Sequence, residues 1–409
     1  MGEWKRVKLG EICSLITKGA TPRGEYQVAN SKEAVAFIRA ENVNGTTICR
    51  SELKCIDSSI HQRELKRSQL RDGDILITIA GAIGRTAIVD CSILPANINQ
   101  AVAIIRLDTT DFDRRFVLDY LRLPALREEL TAISSGQSVQ ANLNLHQVGE
   151  IEIPCPPLPT QRRIAAVLGA FDDKIEVNRK ICENLEAQAQ TLFKAWFVDF
   201  EPFGGKRPVG WQMGKLGDVG EIVGGATPSK AKSEYYTDDG ISWITPKDIS
   251  LQGTKFIAKG EVDVTEKGFK SASVKLMPRG SVLFSSRAPI GYVAVAQNDI
   301  CTNQGFKSVV PKDGIGTCFV YEFLKLNKQL VEDRASGSTF KEISTAGMRD
   351  IPIMIPDVEC LKRFETSAWP LFLMQENKEG ESRALAAMRD ALLPKLISGE
   401  LAVEKVEVK

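Results

Sequence analysis

Histidine is nearly absent from this chain of 409 residues, and the signatures of several catalytic sites are missing as well. The two histidines, His61 and His146, fall in the same half of the sequence, which argues against a Ser-His-Asp site or a metal cluster. No G-x-x-x-x-G-K-[ST] phosphate loop occurs, and the glycine-rich and N/D-P-P-Y/F motifs of adenine methylases are also lacking. The sequence therefore predicts a protein without an active site of its own.

Paired cysteines, long apolar runs and an excess of one charge are absent too. The nine cysteines include no C-x-x-C, which argues against structural zinc, and an odd number of dispersed cysteines is typical of a reducing cytoplasm. The longest apolar run, 75–83, is too short to span a membrane, so we expect a cytoplasmic protein without membrane contact. The formal net charge of +1 means that any contact with DNA must come from local patches.

The sequence contains two copies of one pattern. Residues 4–12 match 211–219, and Gly-Ala-Thr-Pro at 19–22 recurs at 225–228. Further matches follow in the same order: 37–39 with 243–245, 72–76 with 279–283, 82–84 with 289–291, Asn99-Gln100 with Asn303-Gln304, 116–121 with 319–324, and 135–138 with 336–339. So many ordered matches predict a duplicated half of about 200 residues.

A long helix is predicted after each copy. The forty residues after the proline-rich segment 154–159 contain no proline and one glycine, Gly169, and Thr160 is the expected N-cap. A seam of apolar or small residues recurs there at steps of four and three: Ile164, Leu168, Phe171, Ile175, Asn178, Cys182, Leu185, Ala189, Leu192 and Trp196. This spacing predicts packing against a partner helix, with Asn178 fixing the register at some cost in stability. The second helix is expected at about 359–397, with a weaker seam.

The predicted fold class is α+β. Short alternating strands, such as 75–79 and 282–284, indicate a globular domain of mixed strands and short helices in each copy. Two long antiparallel coiled-coil helices would join these domains as spacers, with pseudo-two-fold symmetry. The expected boundaries are 1–155 for the first domain, 156–200 for the central helix, 201–355 for the linker and second domain, and 356–409 for the distal helix.

These motifs together resemble the specificity subunit of type I restriction–modification systems. The match is carried by the following segments: 8–12, 19–22 and 73–76 with their second copies, the two Asn-Gln pairs, 153–164, 171–175, 192–200 and 392–401. The resemblance implies two target recognition domains, each reading half of a bipartite site in double-stranded DNA. It also implies that the helices recruit two modification subunits, which bind S-adenosylmethionine and methylate adenine, and that restriction subunits using ATP and Mg join for cleavage. This chain itself would bind no cofactor and no metal.

Candidate contact residues follow from the need to place polar side chains on base edges. Polar residues in the loops where the copies diverge are the DNA-binding candidates: Lys18, Arg23, Arg39, Asn42, Arg85, Gln137, Gln140, Lys230, Lys247, Ser286, Arg287, Lys307 and Lys341. Apolar residues of the helices are the subunit-interface candidates: Ile164, Leu168, Phe171, Ile175, Leu185, Leu192, Trp196, Phe364, Leu371, Leu385 and Leu392. Because the loops differ, we expect an asymmetric target. The Asn-Gln pairs occur in both copies, so their expected role is structural.

An alternative interpretation is a two-headed scaffold that assembles protein partners without sequence-specific DNA binding. The nearly neutral charge favours it mildly. Salt-dependent binding to random-sequence DNA, measured with a modification partner present, would distinguish the two, because only a DNA-binding protein releases counterions on association.

Overall fold

The computed structural model describes residues 4–23, 27–28, 34–50, 53–135, 142–337 and 341–403. The chain divides into two compact units, unit 1 with residues 1–175 and 384–409 and unit 2 with residues 176–383. Each unit contains a globular domain and a part of each of two long helices. The boundary between the units passes through both long helices. The sequence predicts each helix as a segment separate from the domains.

Unit 1 holds short strands and helices that lead into the first long helix. The strands are β1 (Arg6–Lys8), β2 (Cys13–Lys18), β3 (Gln27–Val28), β4 (Val35–Ile38), β5 (Lys54–Ile56), β6 (Ile75–Thr78), β7 (Thr86–Ile88), β8 (Ala96–Ile98), β9 (Val102–Leu107) and β10 (Glu152–Pro154). The helices are α1 (Ser58–Gln62), α2 (Arg114–Leu121), α3 (Pro124–Ser135), α4 (Leu145–Gly149) and α5 (Leu158–Phe197).

The strands of unit 1 form two four-stranded sheets and one two-stranded sheet. Their orders are β2-β9-β6-β7, β3-β5-β4-β8 and β1-β10. Strand β6 is buried along its whole length because it separates two cores: Ile75 and Ile77 enter the core that includes helices α2 and α5, and Leu76 enters the other. A strand covered on both faces reads as an unbroken apolar run, which explains the run in the sequence.

Unit 2 repeats this plan. Its strands are β11 (Gln212–Lys215), β12 (Gly220–Gly224), β13 (Tyr236–Thr237), β14 (Trp243–Ile244), β15 (Phe256–Ile257), β16 (Asp263–Val264), β17 (Val282–Ser286), β18 (Ile290–Ala296), β19 (Cys301–Thr302), β20 (Lys307–Pro311) and β21 (Pro352–Ile355). Its helices are α6 (Leu216–Val219), α7 (Pro246–Gln252), α8 (Glu266–Ser271), α9 (Thr317–Leu326), α10 (Lys328–Asp333), α11 (Thr345–Arg349) and α12 (Val358–Ser398).

The sheets of unit 2 confirm the predicted duplication. The main sheet has the order β12-β20-β17-β18-β15, and β17 separates two cores as β6 does, with Val282 and Phe284 in one and Leu283 in the other. The parallel pair β4–β8 of unit 1 has its counterpart in the parallel pair β14–β19 of unit 2. Likewise, the antiparallel pair β1–β10 corresponds to β11–β21.

The two long helices have 40 and 41 residues and run antiparallel. Within unit 2, Asn178 donates a hydrogen bond to Glu381 at 3.1 Å, and the Cys182 thiol lies 3.9 Å from the Gln375 carbonyl oxygen. As residue numbers increase along α5, those of the contacting residues in α12 decrease, which shows the antiparallel direction. Asn178 is fully buried, which confirms its predicted place in the seam. The predicted N-cap was wrong, because α5 begins at Leu158 and Thr160 lies in its first turn.

None of the helices in the described part of the chain is both long enough and apolar enough to cross a lipid bilayer.

Candidate nucleic-acid interface

Each domain contains the same arrangement of its Gly-Ala-Thr-Pro motif and its Asn-Gln pair. The hydroxyl of Thr21 donates a hydrogen bond to the side chain of Gln100, and Thr227 donates in the same way to Gln304. The two segments are more than 75 residues apart in sequence within each copy. The glutamine of each Asn-Gln pair thus bonds to the Gly-Ala-Thr-Pro motif of its own domain, which agrees with the structural role that we expect for the pairs.

Close backbone approach explains the glycine that opens each motif. A Cβ atom on Gly19 would overlap the carbonyl oxygens of Ile98 and Asn99, and one on Gly225 would overlap those of Thr302 and Asn303. Backbone atoms cannot move aside as the end of a side chain can, so neither position has room for a side chain. The glycine therefore allows the chain that leaves β2 or β12 to pack directly against the backbone at the end of β8 or β19.

A short turn after β4 and after β14 completes the arrangement. The backbone N–H of Asn99 donates to the Ile38 carbonyl at 3.0 Å, and that of Asn303 donates to the Ile244 carbonyl at the same distance. These bonds attach each turn to its Asn-Gln segment. We call the motif, the Asn-Gln pair and this turn the recognition frame, which comprises 19–22, 99–100 and 39–42 in unit 1, and 225–228, 303–304 and 245–248 in unit 2.

The side chain that closes each turn is buried. Asn42 accepts a hydrogen bond from the Arg39 backbone N–H at 3.0 Å, and Asp248 accepts one from the Thr245 backbone N–H at 2.7 Å. Asn42 is 1% exposed and also donates to the Cys49 carbonyl. The amide of Asn42, one of the DNA-binding candidates, therefore closes the turn within the fold.

In unit 2 the recognition frame borders a cleft of about 730 Å³. Residues of four loops, two strands and the N-terminal turn of helix α7 line it: Thr227, Lys230, Tyr236, Trp243, Thr245, Pro246, Lys247, Asp248, Glu261, Val262, Arg287, Ala288, Asn303, Gln304 and Gly305. Tyr236 and Trp243 meet edge to face with ring centroids 5.8 Å apart. Their polar atoms donate to the backbone carbonyls of Pro228 and Ala226, so the two rings are fixed parts of the wall.

Two of the three cations that line the cleft, Lys247 and Arg287, are paired with acids. Lys247 lies 2.6 Å from Glu261, and this hydrogen bond raises the pKa of the Lys247 ammonium. Arg287 and Lys307 share the carboxylate of Glu342, each at 3.3 Å. Paired surface charges gain little from each other in water, so the cations can exchange these partners for a ligand at small cost.

The DNA-binding candidates fall into four groups. Fully exposed are Lys18, Arg23, Lys230, Lys247 and Lys341, and half-buried are Arg39, Arg85, Arg287 and Lys307. Ser286 is fully buried within β17, and Asn42 is buried in its turn. Gln137 and Gln140 lie outside the described residues. Only Lys230, Lys247 and Arg287 of the candidates in unit 2 line the cleft together, and Glu261 beside them was missed because the prediction considered no carboxylates.

The helix candidates mostly hold the protein itself together. Ile164, Leu168, Leu185 and Phe364 are buried in the core of their own unit. The remaining candidates are half-buried: Phe171, Ile175, Leu192, Trp196, Leu371, Leu385 and Leu392. Other apolar residues of the helices are far more open, among them Val177 at 49%, Leu373 at 42% and Met374 at 51%. The seam pattern therefore identifies an intramolecular contact between the helices and the domains.

An ionic cluster connects domain and helices in unit 1. Asp172 of α5 accepts from Arg122 at 2.9 Å, from Arg389 of α12 at 2.5 Å, and from Arg115. Burial alone would raise the pKa of Asp172, but these arginines more than offset it and the pKa is lowered. Asp119 of α2 joins the cluster through Arg115 and Arg122, and its burial raises its pKa to about 6.

Unit 2 has a different cluster at the corresponding place. Glu322 of α9 matches Asp119 in the duplicated segment, and its nearest cation is Lys255 at 4.0 Å. Lys255 lies closer to Glu186 of α5, at 2.5 Å, and over the ring of Phe372 of α12. The side chain of Glu379, also on α12, accepts the backbone N–H groups of Lys255 and Phe256 at 2.9 and 3.0 Å. Each domain is thus fixed to its helix segments by buried charges.

Two copies of one α+β domain, with different side chains on the same frame and a pair of antiparallel helices, define a two-headed recognition protein. The sequence matches the family of the type I restriction modification DNA specificity domain over residues 1–187 and 208–364. The chain belongs to this family. Membership favours DNA recognition over the protein scaffold without DNA.

Individual relatives agree with this assignment. The MjaIX specificity subunit of Methanocaldococcus jannaschii is 37% identical over 193 residues, which span 46% of this chain and 44% of the relative. The HindI specificity subunit of Haemophilus influenzae is 25% identical over 472 aligned residues, covering 98% of this chain and all of the relative. The crystal structure of a type I restriction–modification S subunit from M. genitalium shares the fold, with a TM-score of 0.57, 16% identity and 96% coverage of both chains.

Proposed function

We propose that this chain is the DNA sequence-recognition subunit of a type I restriction–modification complex and that it reads a bipartite, asymmetric site. The observation that carries the proposal is the recognition frame, which occurs in both domains with different exposed side chains. A fixed backbone with exchangeable polar side chains is what direct readout of base edges requires. Two different sets of side chains then imply two different half-sites.

The charge distribution supports a division of labour between the chain and its partners. A formal net charge of +1 leaves little attraction to the DNA backbone, which usually supplies much of the binding free energy. We therefore expect the isolated chain to bind DNA weakly and the assembled complex to bind it strongly. Base choice would come from this chain and much of the affinity from its partners.

The partners in this proposal are two modification subunits and the restriction subunits, which would act where the DNA is, in the cytoplasm. Val177, Leu373 and Met374 provide exposed apolar area on the helices for a modification subunit. S-adenosylmethionine would bind to the modification subunits, and ATP and Mg would bind to the restriction subunits. This chain would contribute recognition and assembly and no catalytic step.

The test is a methylation map. The chain is expressed with its modification partner in cells that lack other adenine methylation, and methylated positions are located across the genome. We expect one bipartite motif with unlike halves. Exchanging residues 1–155 for those of a relative should change one half-site and leave the other. Methylation of unrelated sequences would contradict the proposal, and so would a change in both half-sites, or in neither, after the exchange.

A further inference from the structure

Residues 41 and 247 occupy the same place on the recognition frames of the two domains. Each directly precedes the buried side chain that closes its turn, Asn42 or Asp248. Each turn follows a strand of the corresponding parallel pair, β4–β8 or β14–β19. The last residue of that strand, Ile38 or Ile244, accepts a hydrogen bond from the backbone N–H of Asn99 or Asn303. Both positions therefore follow an extended residue, Arg39 or Thr245, and lie in a helical turn, which is a single 3-10 turn in unit 1 and the first turn of α7 in unit 2.

The side chains at these two positions carry opposite charges. Position 41 holds a glutamate whose side chain is 56% exposed, and position 247 holds a lysine whose side chain is 64% exposed. Glu41 pairs with Arg39 at 2.7 Å and Lys247 with Glu261 at 2.6 Å. Each charge is opposite to that of its neighbour, Arg39 or Glu261, so the frame that the copies share does not set its sign.

The cleft places position 247 among groups that can face a ligand. Lys247 lines it beside Glu261 and Gln304, and the cleft wall is held rigid by the internally bonded rings of Tyr236 and Trp243. A flexible lysine on a solvated surface gives no fixed direction to its ammonium group. Here the capped turn fixes the backbone at Lys247, and the exposed pair with Glu261 can be exchanged for a ligand at small cost.

We propose that residues 41 and 247 are equivalent base-reading positions, Glu41 for a cytosine in one half-site and Lys247 for a guanine in the other. This inference rests on the proposed function and adds the chemistry of one base in each half-site. In the major groove a carboxylate accepts the N4 amino group of cytosine, and an ammonium donates to O6 and N7 of guanine. Opposite charges on one frame would then give opposite base preferences, which is a direct route to an asymmetric target.

The experiment removes each charge in the intact complex. Glu41→Gln and Lys247→Gln are expressed with the modification partner, and the methylation maps are compared with that of the unaltered complex. We expect Lys247→Gln to relax one G·C position of one half-site by roughly 10-fold to 100-fold, the range for one base contact, and to leave the other half-site unchanged. Glu41→Gln should do the converse.

Matched controls remove similar exposed charges away from the frames. Glu128→Gln on α3 and Lys267→Gln on α8 should leave both half-sites as they are, and thermal unfolding of all four variants should match the unaltered chain. Charge reversal, Lys247→Glu, should weaken guanine selection further.

Two results would overturn the inference while leaving the proposed function intact. Unchanged maps for Glu41→Gln and Lys247→Gln would mean that neither residue reads a base. An equal loss of methylation at all sequences, with base preference retained, would identify Lys247 as a phosphate contact. If the unaltered complex recognises no bipartite motif, the proposed function fails first and the inference fails with it.

Discussion

Glu322 is the buried group through which we expect pH to act on the stability of unit 2. Its side chain is 1% exposed on α9 and lies 4.0 Å from the ammonium of Lys255, which pairs more closely with Glu186. Burial first, and the charge of Glu186 second, raise the pKa of Glu322 to about 8, although Lys255 and Lys325 oppose the shift. The folded protein therefore holds this carboxyl group protonated at neutral pH. Glutamine has nearly the shape of the protonated acid and cannot ionise.

The magnitude follows from linkage between protonation and folding. An unfolded glutamate titrates near pH 4.5, so between that pH and pH 8 the folded chain keeps a proton that the unfolded chain has released. The free energy of unfolding then falls by up to about 1.4 kcal/mol for each unit of rising pH. This contribution is fully present below pH 4.5 and is lost as the pH rises through 8. At pH 7 the variant Glu322→Gln should be the more stable by on the order of 3 kcal/mol, and near pH 4.5 the two should be equal.

Urea unfolding of the full chain between pH 5 and 8 measures this difference. Tryptophan fluorescence reports mainly on unit 2, which contains four of the five tryptophans: Trp196, Trp211, Trp243 and Trp369. The control Glu266→Gln removes an exposed carboxylate on α8 and should unfold as the unaltered chain does at every pH. Equal pH slopes for the unaltered chain and Glu322→Gln would refute the reasoning, because Glu322 would then be ionised in the folded state.

Three further substitutions test other parts of the structure. Asp172→Asn leaves three arginines without their shared carboxylate and should lower the free energy of unfolding by about 3 kcal/mol, whereas the exposed neighbouring change Asp173→Asn should alter it little in the same denaturation experiment. Asn178→Leu should raise the melting temperature, since the buried Oδ1 has no hydrogen-bond partner among the described residues, and a lower melting temperature would contradict this. Met374→Asp should weaken binding of the modification subunit at least tenfold by calorimetry, and Met213→Asp, a similarly exposed methionine on β11, should bind normally.

Periodic and repeated features were predictable from the sequence. The duplication, the two long helices and the buried Asn178 of the seam all follow from spacing along the chain, which local geometry converts directly into faces and contacts. The seam pattern predicts that a residue is buried, but it does not predict whether the same chain or a partner subunit covers that residue. Ile164 and Leu168 were assigned to a partner interface for this reason, whereas they are buried in unit 1.

The individual contact residues were less predictable because their roles depend on distant neighbours. A polar residue in a loop, such as Asn42, can face solvent or close a turn, and only the position of Arg39 and Cys49 around it decides between them. Ser286 was taken as a loop residue, but β17 extends far enough to bury it. Glu261 reaches the cleft through Lys247, fourteen residues earlier, a contact that no periodicity signals.

In each domain, the residues that hold the recognition frame together are different from the exposed residues that the frame presents. This difference affects how target sites can diverge. Substitutions at exposed positions outside caps and cores usually change the free energy of unfolding by less than about 0.5 kcal/mol. The free energy of unfolding of a natural domain is only about 5–15 kcal/mol, so substitutions that change binding at the cost of several kcal/mol unfold the protein. The side chains at positions 41 and 247 are exposed, and the contacts that hold each frame are made by other residues: the glycines, the Thr–Gln pair and the closing side chain. Descendants of this chain could therefore exchange one base preference for another by single substitutions, in either domain independently.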